Sequence, residues 1–445
     1  DRITGETWAI AGMPGPARTA SYTHDANSNL TGITDFSGRV ITYTYDALDY
    51  CTQINDGGQI STFSYDLCGR MTSRVLPSGQ YELFSHIPGS TLVGSHAVYD
   101  SLGNLQDSTA WSYDFAWNPV TKTSMRGWTV NYTHDAAHRL TAEVRTGLGA
   151  YTRTYGYDPA GNMAIQTVNG TTTTYAVDAR NNTTSETTNG ITTSYTYDGN
   201  GDLTADSTGR TWLYDHAGRL AEYASGTGQS WRYYSAFDDM RIRRDTRVNG
   251  TPVYHDFWFW EDSGRLNEFG CIPGGPATLA SSWSYTAEHD LHALTIPSGP
   301  GSGYFPYLLD MEDNVVALVD AAQVFRNTYE YSAYGTTVTT GGLAPVANSY
   351  LYKTTPMDPE SGMYSAFRRM YDPAFNRYTG TGPYDQLDYG TPAFALGRPH
   401  ILRPENGIAH GYTTLLDEPM PLPTGFQLPG LELMQPGILS TQLVQ

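Results

Sequence analysis

The chain has 445 residues and a formal net charge of −19. That charge repels phosphate backbones and argues against a nucleic-acid partner. No run of eighteen apolar residues exists to cross a membrane as a helix. Only 16% of residues are charged, while Tyr (34), Gly (46) and Thr are plentiful, a balance that predicts an all-β chain of strands and turns.

Four regions follow in chain order. Residues 1–20 form a lead-in, whose opening DRITGETWAI has neither an initiator Met nor a signal-peptide layout and reads as a processed or trimmed piece. Residues 21–300 hold a repeated phrase, 301–407 a region of different character, and 408–445 a Pro-rich tail. The phrase aligns on an acid: Asp25, Asp46, Asp66, Asp100, Asp114, Asp135, Asp158, Asp178, Asp198 and Asp215. Most steps are 20 to 23 residues; steps of 34 and 14 adjoin, which places a degenerate unit near FSHIPGS at 84–90.

Three residues before the Asp stand Tyr22, Tyr43, Phe63, Ala97, Trp111, Tyr132, Tyr155, Tyr175, Tyr195 and Trp212. One residue before it, Tyr45, Tyr65, Tyr99, Tyr113, Tyr157, Tyr197 and Tyr214 recur, with His24, His134 and Val177 the departures. Positions two apart share a strand face, so each strand enters its turn with one aromatic face. Gly follows three residues after Asp66, Asp100, Asp158, Asp198 and Asp215. Asp first and Gly fourth predict a type I turn closed by a bulge, the carboxylate accepting the N–H two residues on. Five residues after the Asp an apolar side chain returns, from Leu30 and Cys51 to Leu220, so Cys51 fills a core slot. An acid used ten times alike reads as a turn-former, since a catalytic carboxylate needs one special environment.

These Tyr-Asp units resemble the YD repeats of Rhs proteins, of the C components of insecticidal toxin complexes and of teneurins. Residues 303–337 resemble the lead into the Rhs-associated core, with Asp310, Asn314, Val315, Leu318, Asp320, Tyr329, Tyr331, Tyr334 and Gly335 on its pattern. Residues 351–378 resemble the core motif itself, at Asp358, Gly362, Tyr364, Arg369, Tyr371, Asp372, Pro373 and Arg377. The resemblance implies a spiralling antiparallel β-sheet of hairpins forming a hollow shell or tube, with the core segment curled inside one end. In many members the shell holds a C-terminal toxin cut free by an Asp-based site beside a DPxG-like sequence. Here Thr381-Gly382-Pro383 and Arg403-Pro404-Glu405-Asn406-Gly407 stand at those steps. Asp385, Asp388 and Glu405 are out of register, so no acid or base is supplied for scission.

Other candidates resolve toward structure. DANSN at 25–29 and DGNGD at 198–202 start like calcium loops, but the twelfth position is Phe36 or Gly209. The three cysteines, Cys51, Cys68 and Cys271, are an odd number without metal-ligand spacing, one bridge remaining open. His24 and His134 take Tyr slots, and no paired histidine motif, P-loop, GxGxxG or GxSxG is present, so no cofactor or metal is expected. MRIRRDTR at 240–247 reads as a solvated strand facing the protein's own carboxylates, with an anion or acidic partner as the competing reading. HDFWFWEDSGRL at 255–266 reads as a buried strand, with a sugar platform at Trp258 as the competitor.

Ten hairpins and the core give about 25 strands, one or two turns of a spiral at ~4.8 Å per strand. The expected function is a non-enzymatic shell, tube or fibre element, extracellular or at the cell surface. Its partners would be other copies or additional YD repeats of a longer chain, with a protein cargo or surface glycan as further candidates. The alternatives are a cocoon for a C-terminal toxin absent from this chain and, third, a carbohydrate-binding adhesion surface.

Overall fold

A computed structural model describes residues 3–235, 240–261, 264–299, 301–358, 361–366, 369–373 and 377–379. The inferred cleavage steps at 381–407 and the tail at 408–445 lie outside them. Thirty-one strands, from Gly5–Trp8 to Thr337–Gly341, form a single sheet. Each pairs antiparallel with the strand that follows it in sequence. Three short strands, Tyr364–Ala366, Arg369–Asp372 and Arg377–Tyr378, make a second sheet. Among the described residues there is one 3-10 turn, Tyr352–Thr354, and no α-helix.

The strand total exceeds the expected 25 because the connections between Asp corners carry no common phrase. Some are two-residue turns with both central φ angles positive, as at Asn169 (48°) and Gly170 (85°), which suit the twist of a hairpin. Others are Asp corners in their own right, at Asp35 and Asp206.

In a sheet of sequence-ordered antiparallel strands, successive turns alternate between the two rims. Asp25, Asp46, Asp66, Asp114, Asp135, Asp158, Asp178, Asp198 and Asp215 fall on one rim. Asp100, which joins Val93–Tyr99 to Leu105–Tyr113, falls on the other. The first rim's corner at that point is Ile87, whose N–H donates to Leu92, inside the stretch read as degenerate. The series of ten therefore mixes two rims, and Ala97 breaks the aromatic rule because its strand runs the opposite way.

In the repeat strands before residue 250, one face is chiefly apolar and the other polar. On the polar face, exposed threonines pair across strands, as Thr7 with Thr19 and Thr187 with Thr192, both at 2.8 Å. The apolar face coils back on itself. Tyr22, Ile33, Ile41, Tyr43, Ile54 and Phe63 join one core with Phe257, Phe259, Trp283, Phe305 and Leu318. Phe36 meets Phe259 with ring centroids 4.8 Å apart, and the Tyr43 hydroxyl donates to the Tyr285 carbonyl at 3.2 Å. Strands in the 257–319 stretch are buried on both faces, for instance Val315–Val319, where Val315, Ala317, Leu318 and Val319 are all inaccessible.

Candidate functional site

The repeat forms one hydrogen-bonded corner used many times. In every Asp corner singled out above, and at Asp35, Asp206, Asp310 and Asp320, Oδ1 accepts the backbone N–H four residues on, at 2.8–3.1 Å. In most, the same oxygen accepts the N–H two residues on, as Leu48 to Asp46 and Cys68 to Asp66. The register shifts by one residue just before the Asp, between Thr44 and Tyr45 or Ser64 and Tyr65, which is the bulge.

Oδ2 takes a donor that the Asp, Tyr and Gly offsets do not show. The residue four after the Asp sends its side chain back: Asn29, Asn118, Asn162 and Asn182 through Nδ2, Arg70, Arg139 and Arg219 through the guanidinium. The Arg70 bond holds the Asp66 carboxyl down to about 2. The side chains of Asn29 and Asn104 likewise lower Asp25 and Asp100.

Two further ladders tie neighbouring corners. The tyrosine before the Asp donates its hydroxyl to the carbonyl of the core slot in the preceding repeat: Tyr45 to Leu30, Tyr65 to Cys51, Tyr157 to Leu140 and Tyr197 to Thr183, at 2.7–2.8 Å. On the rim, Asn29, Asn118 and Asn162 also donate to Asp49, His138 and Asn181 of the next corner. Those three acceptors sit at positive φ, 63°, 61° and 66°, in place of Gly. The residues three before the Asp form the inner core: Tyr22, Tyr43, Phe63, Trp111, Tyr155, Tyr195 and Trp212 are buried and Tyr132 is half-buried.

The core-like segment lies on this aromatic face. Met363 and Met370 pack among Tyr195, Trp212, Tyr223, Trp231 and Tyr233. Tyr364 and Tyr371 donate to the carbonyls of Gly335 and Tyr334. Gly335 has φ 83° and lies against Tyr352, whose ring fills the space a Cβ would need. Thr379 accepts at its carbonyl from Leu203 N–H and the Tyr214 hydroxyl, so here the core segment takes the place of a preceding repeat in the tyrosine ladder. Asp358 is buried, accepts from Tyr233 and lies 3.8 Å from Arg244. Asp372 is buried on its strand beside half-buried Pro373; Gly362 is exposed at a turn; Arg369 and Arg377 lie on the two short strands.

Arg244 also pairs with Asp256 at 2.9 Å. Burial pushes the Asp256 carboxyl up to about 6, with Arg244 opposing. Arg241 is stacked over the Tyr233 ring at 4.2 Å, and Arg243 is held by Asp245 at 2.7 Å. Residues 240–247 face the protein's own carboxylates as expected, but from a half-buried strand rather than a solvated one: Arg243 meets Asp245 of its own strand, Arg244 meets Asp256 of the next, and Arg241 stacks on Tyr233 of the one before. Trp258 is 4% exposed between Arg244 and Arg265, in keeping with the buried strand expected there and against the competing sugar platform. Cys51 and Cys271 are buried, Cys68 is exposed, and none is in a disulfide. Burial pushes the Cys51 thiol up to about 12. DANSN and DGNGD are corners, bonded as above.

A cavity of about 40 Å³ lies among Lys122, Arg145, Asp310 and Glu330. Small-molecule sites occupy roughly 300–1,000 Å³, so this cavity is much smaller than such a site. Its walls are joined by Lys122 to Asp310 and Arg145 to Glu330, both at 2.7 Å.

Residues 24–59, two corners of the series, match the family model of the RHS repeat. No curated protein matches the chain by sequence. Solved structures of TcdB2-TccC3 share its fold: the TcdB2-TccC3-Cdc42 structure gives a TM-score of 0.72 at 16% identity, covering 88% of this chain and 22% of that one. TcdB2-TccC3-TEV gives 0.71 at 15%, covering 87% and 21%. The Photorhabdus luminescens Tc holotoxin pore gives 0.69 at 15%, covering 90% and 23%. The chain thus spans about a fifth of the length of the chains it matches. Residues 24–59 thus match an RHS repeat, and the chain, with its Asp-cornered hairpins, shares the β-sheet fold of toxin-complex components.

Proposed function

We propose that the chain works through its shape, as a non-enzymatic segment of an enclosing β-wall placed outside the cell or at its surface. The observation that carries this is the aromatic face, turned inward and closed by the chain's own core segment. The repeat acids support it, because their carboxylates sit in one recurring environment and are taken up by turn hydrogen bonds. The wall's partners are further repeats: the edge strands Gly5–Trp8 and Thr337–Gly341 each pair on one side only among the described residues. In the second reading the wall is a cocoon for a C-terminal toxin, favoured by the toxin-complex structures that share the fold.

Electron microscopy of the purified protein with a panel of peptide, glycoside and phosphoester substrates tests the first reading. A curved wall without turnover is expected. Separate compact lobes, or a turnover abolished by one carboxylate substitution, would overturn it. Intact mass of the chain expressed with a C-terminal extension separates the readings, since a cut soon after residue 407 favours the cocoon.

A further inference from the structure

One arginine is shared between the wall and the core segment. Tyr233, Arg244 and Asp256 stand abreast on three neighbouring strands, each the register partner of the next. Arg244 Nε donates to Asp256 Oδ2 at 2.9 Å, and its Nη1 lies 3.8 Å from Asp358 Oδ1. Tyr233 donates to the other oxygen of Asp358. Asp256 and Asp358 are each 6% exposed, so water screens neither charge well. Asp256 belongs to the wall, on Thr251–Glu261, and Asp358 to the segment that closes the aromatic face.

We propose that Arg244 is a latch that acid tightens: it turns from Asp256 in the wall toward Asp358 in the core segment when Asp256 takes up a proton. The charges around the two acids balance while all are ionised, Arg241, Arg244 and Arg265 against Asp256, Glu268 and Asp358. A proton on Asp256 leaves one positive charge in excess beside Asp358, and the neutral carboxyl no longer competes for the guanidinium. Core-segment docking and proton uptake therefore favour each other. Asp256 is placed to take that proton: burial pushes it up to about 6, with Arg244 opposing and Glu268 reinforcing. Tyr254 and Cys271 also neighbour Asp256, but burial pushes both up and they stay neutral near pH 6. Arg243, Asp245 and His255 alternate to the opposite face of the sheet, where Asp245 holds both partners at 2.7 Å. A permanent clamp needs one acid per guanidinium; the second buried acid is what makes this contact answer to protons. The latch rests on these residues alone and stands whether or not the wall encloses anything.

Oxidation of the whole chain by hydrogen peroxide, read methionine by methionine in a mass spectrometer, tests it. Met363 and Met370 are 1% and 2% exposed, so their oxidation reports how often the core segment opens. It should slow by about five- to tenfold between pH values of about 7.5 and about 5. Met125, 48% exposed, serves as the reference for the reagent. Met163 is buried in a different cluster with Tyr155 and Tyr334 and should keep its rate, which separates a local latch from a change in overall stability. Asp256→Asn keeps the shape of the protonated acid and should give the slow rates at both pH values. Asp358→Asn should give the fast rates at both, with an unchanged circular dichroism spectrum. Equal rates at the two pH values in the unaltered chain would overturn the inference. So would a pH dependence that survives in either variant, or Met163 slowing in step with Met363 and Met370.

Discussion

At the scale of single residues, the repeat is a set of donors matched to acceptors. Tyr rather than Phe stands before the Asp because its hydroxyl crosses to the preceding repeat. Tyr65→Phe keeps the packing and removes the bond to the Cys51 carbonyl, so it should cost about 1 kcal/mol in urea unfolding. Acidity sets the second expectation. Asp66, Asp25 and Asp100 titrate below their unfolded value of ~3.9, so their stabilisation is complete above that pH and is lost as pH falls through their lowered folded values, about 2 for Asp66. Asp256 has the opposite sign. Its raised folded value means the native state binds the proton more tightly, so stability rises as pH falls from about 6 toward ~4. Melting temperature against pH should therefore peak between these ranges, and Asp256→Asn should flatten only the upper limb. The offsets of Tyr, Asp and Gly were legible because each repeats as one letter inside one hairpin. The Oδ2 donors were not, because Asn and Arg share that job and no single letter recurs.

Elements are joined corner to corner. Asn162 belongs to one corner and Asn181 to the next, and the bond between them lets Asn181 occupy a conformation otherwise suited to Gly. Asn162→Ala should destabilise by about 1–2 kcal/mol, since it also strips Asp158 of its side-chain donor. Asn181→Gly alone should be nearly neutral, as relief of the backbone offsets the lost bond. A double-mutant cycle should give a coupling of about 0.5–1 kcal/mol. Additive values would mean the rim ladder contributes nothing. The all-β, hairpin-built character of the chain followed from aromatic spacing and turn residues. The extra strands did not, because Asn-Gly turns and the Asp35 and Asp206 corners interrupt the phrase rather than repeat it. Nor does an Asp-aligned list show which rim a corner occupies; that depends on counting strands, and Asp100 is the residue that reveals it.

For the whole molecule, stability rests on one sheet meeting its own aromatic face and the core segment. Met363 and Met370 reach across to strands more than a hundred residues earlier in the chain. Met363→Ala with Met370→Ala should cost roughly 4–8 kcal/mol if both cavities persist, and should expose the Trp212 and Trp231 side to quenchers without disordering the strands of 18–65. Such long-range meetings are where local pattern is blind. The arginines of 240–247 alternate like a surface strand, yet Asp358, more than a hundred residues later in the chain, lies 3.8 Å from Arg244.

A side-chain-resolution density map of the chain tests the account most directly. It should show strands paired in strict sequence order, each repeat tyrosine reaching the carbonyl of the repeat before it, and Tyr43 against Tyr285. Strands paired out of order, or residues 18–65 standing apart from 257–307, would contradict it.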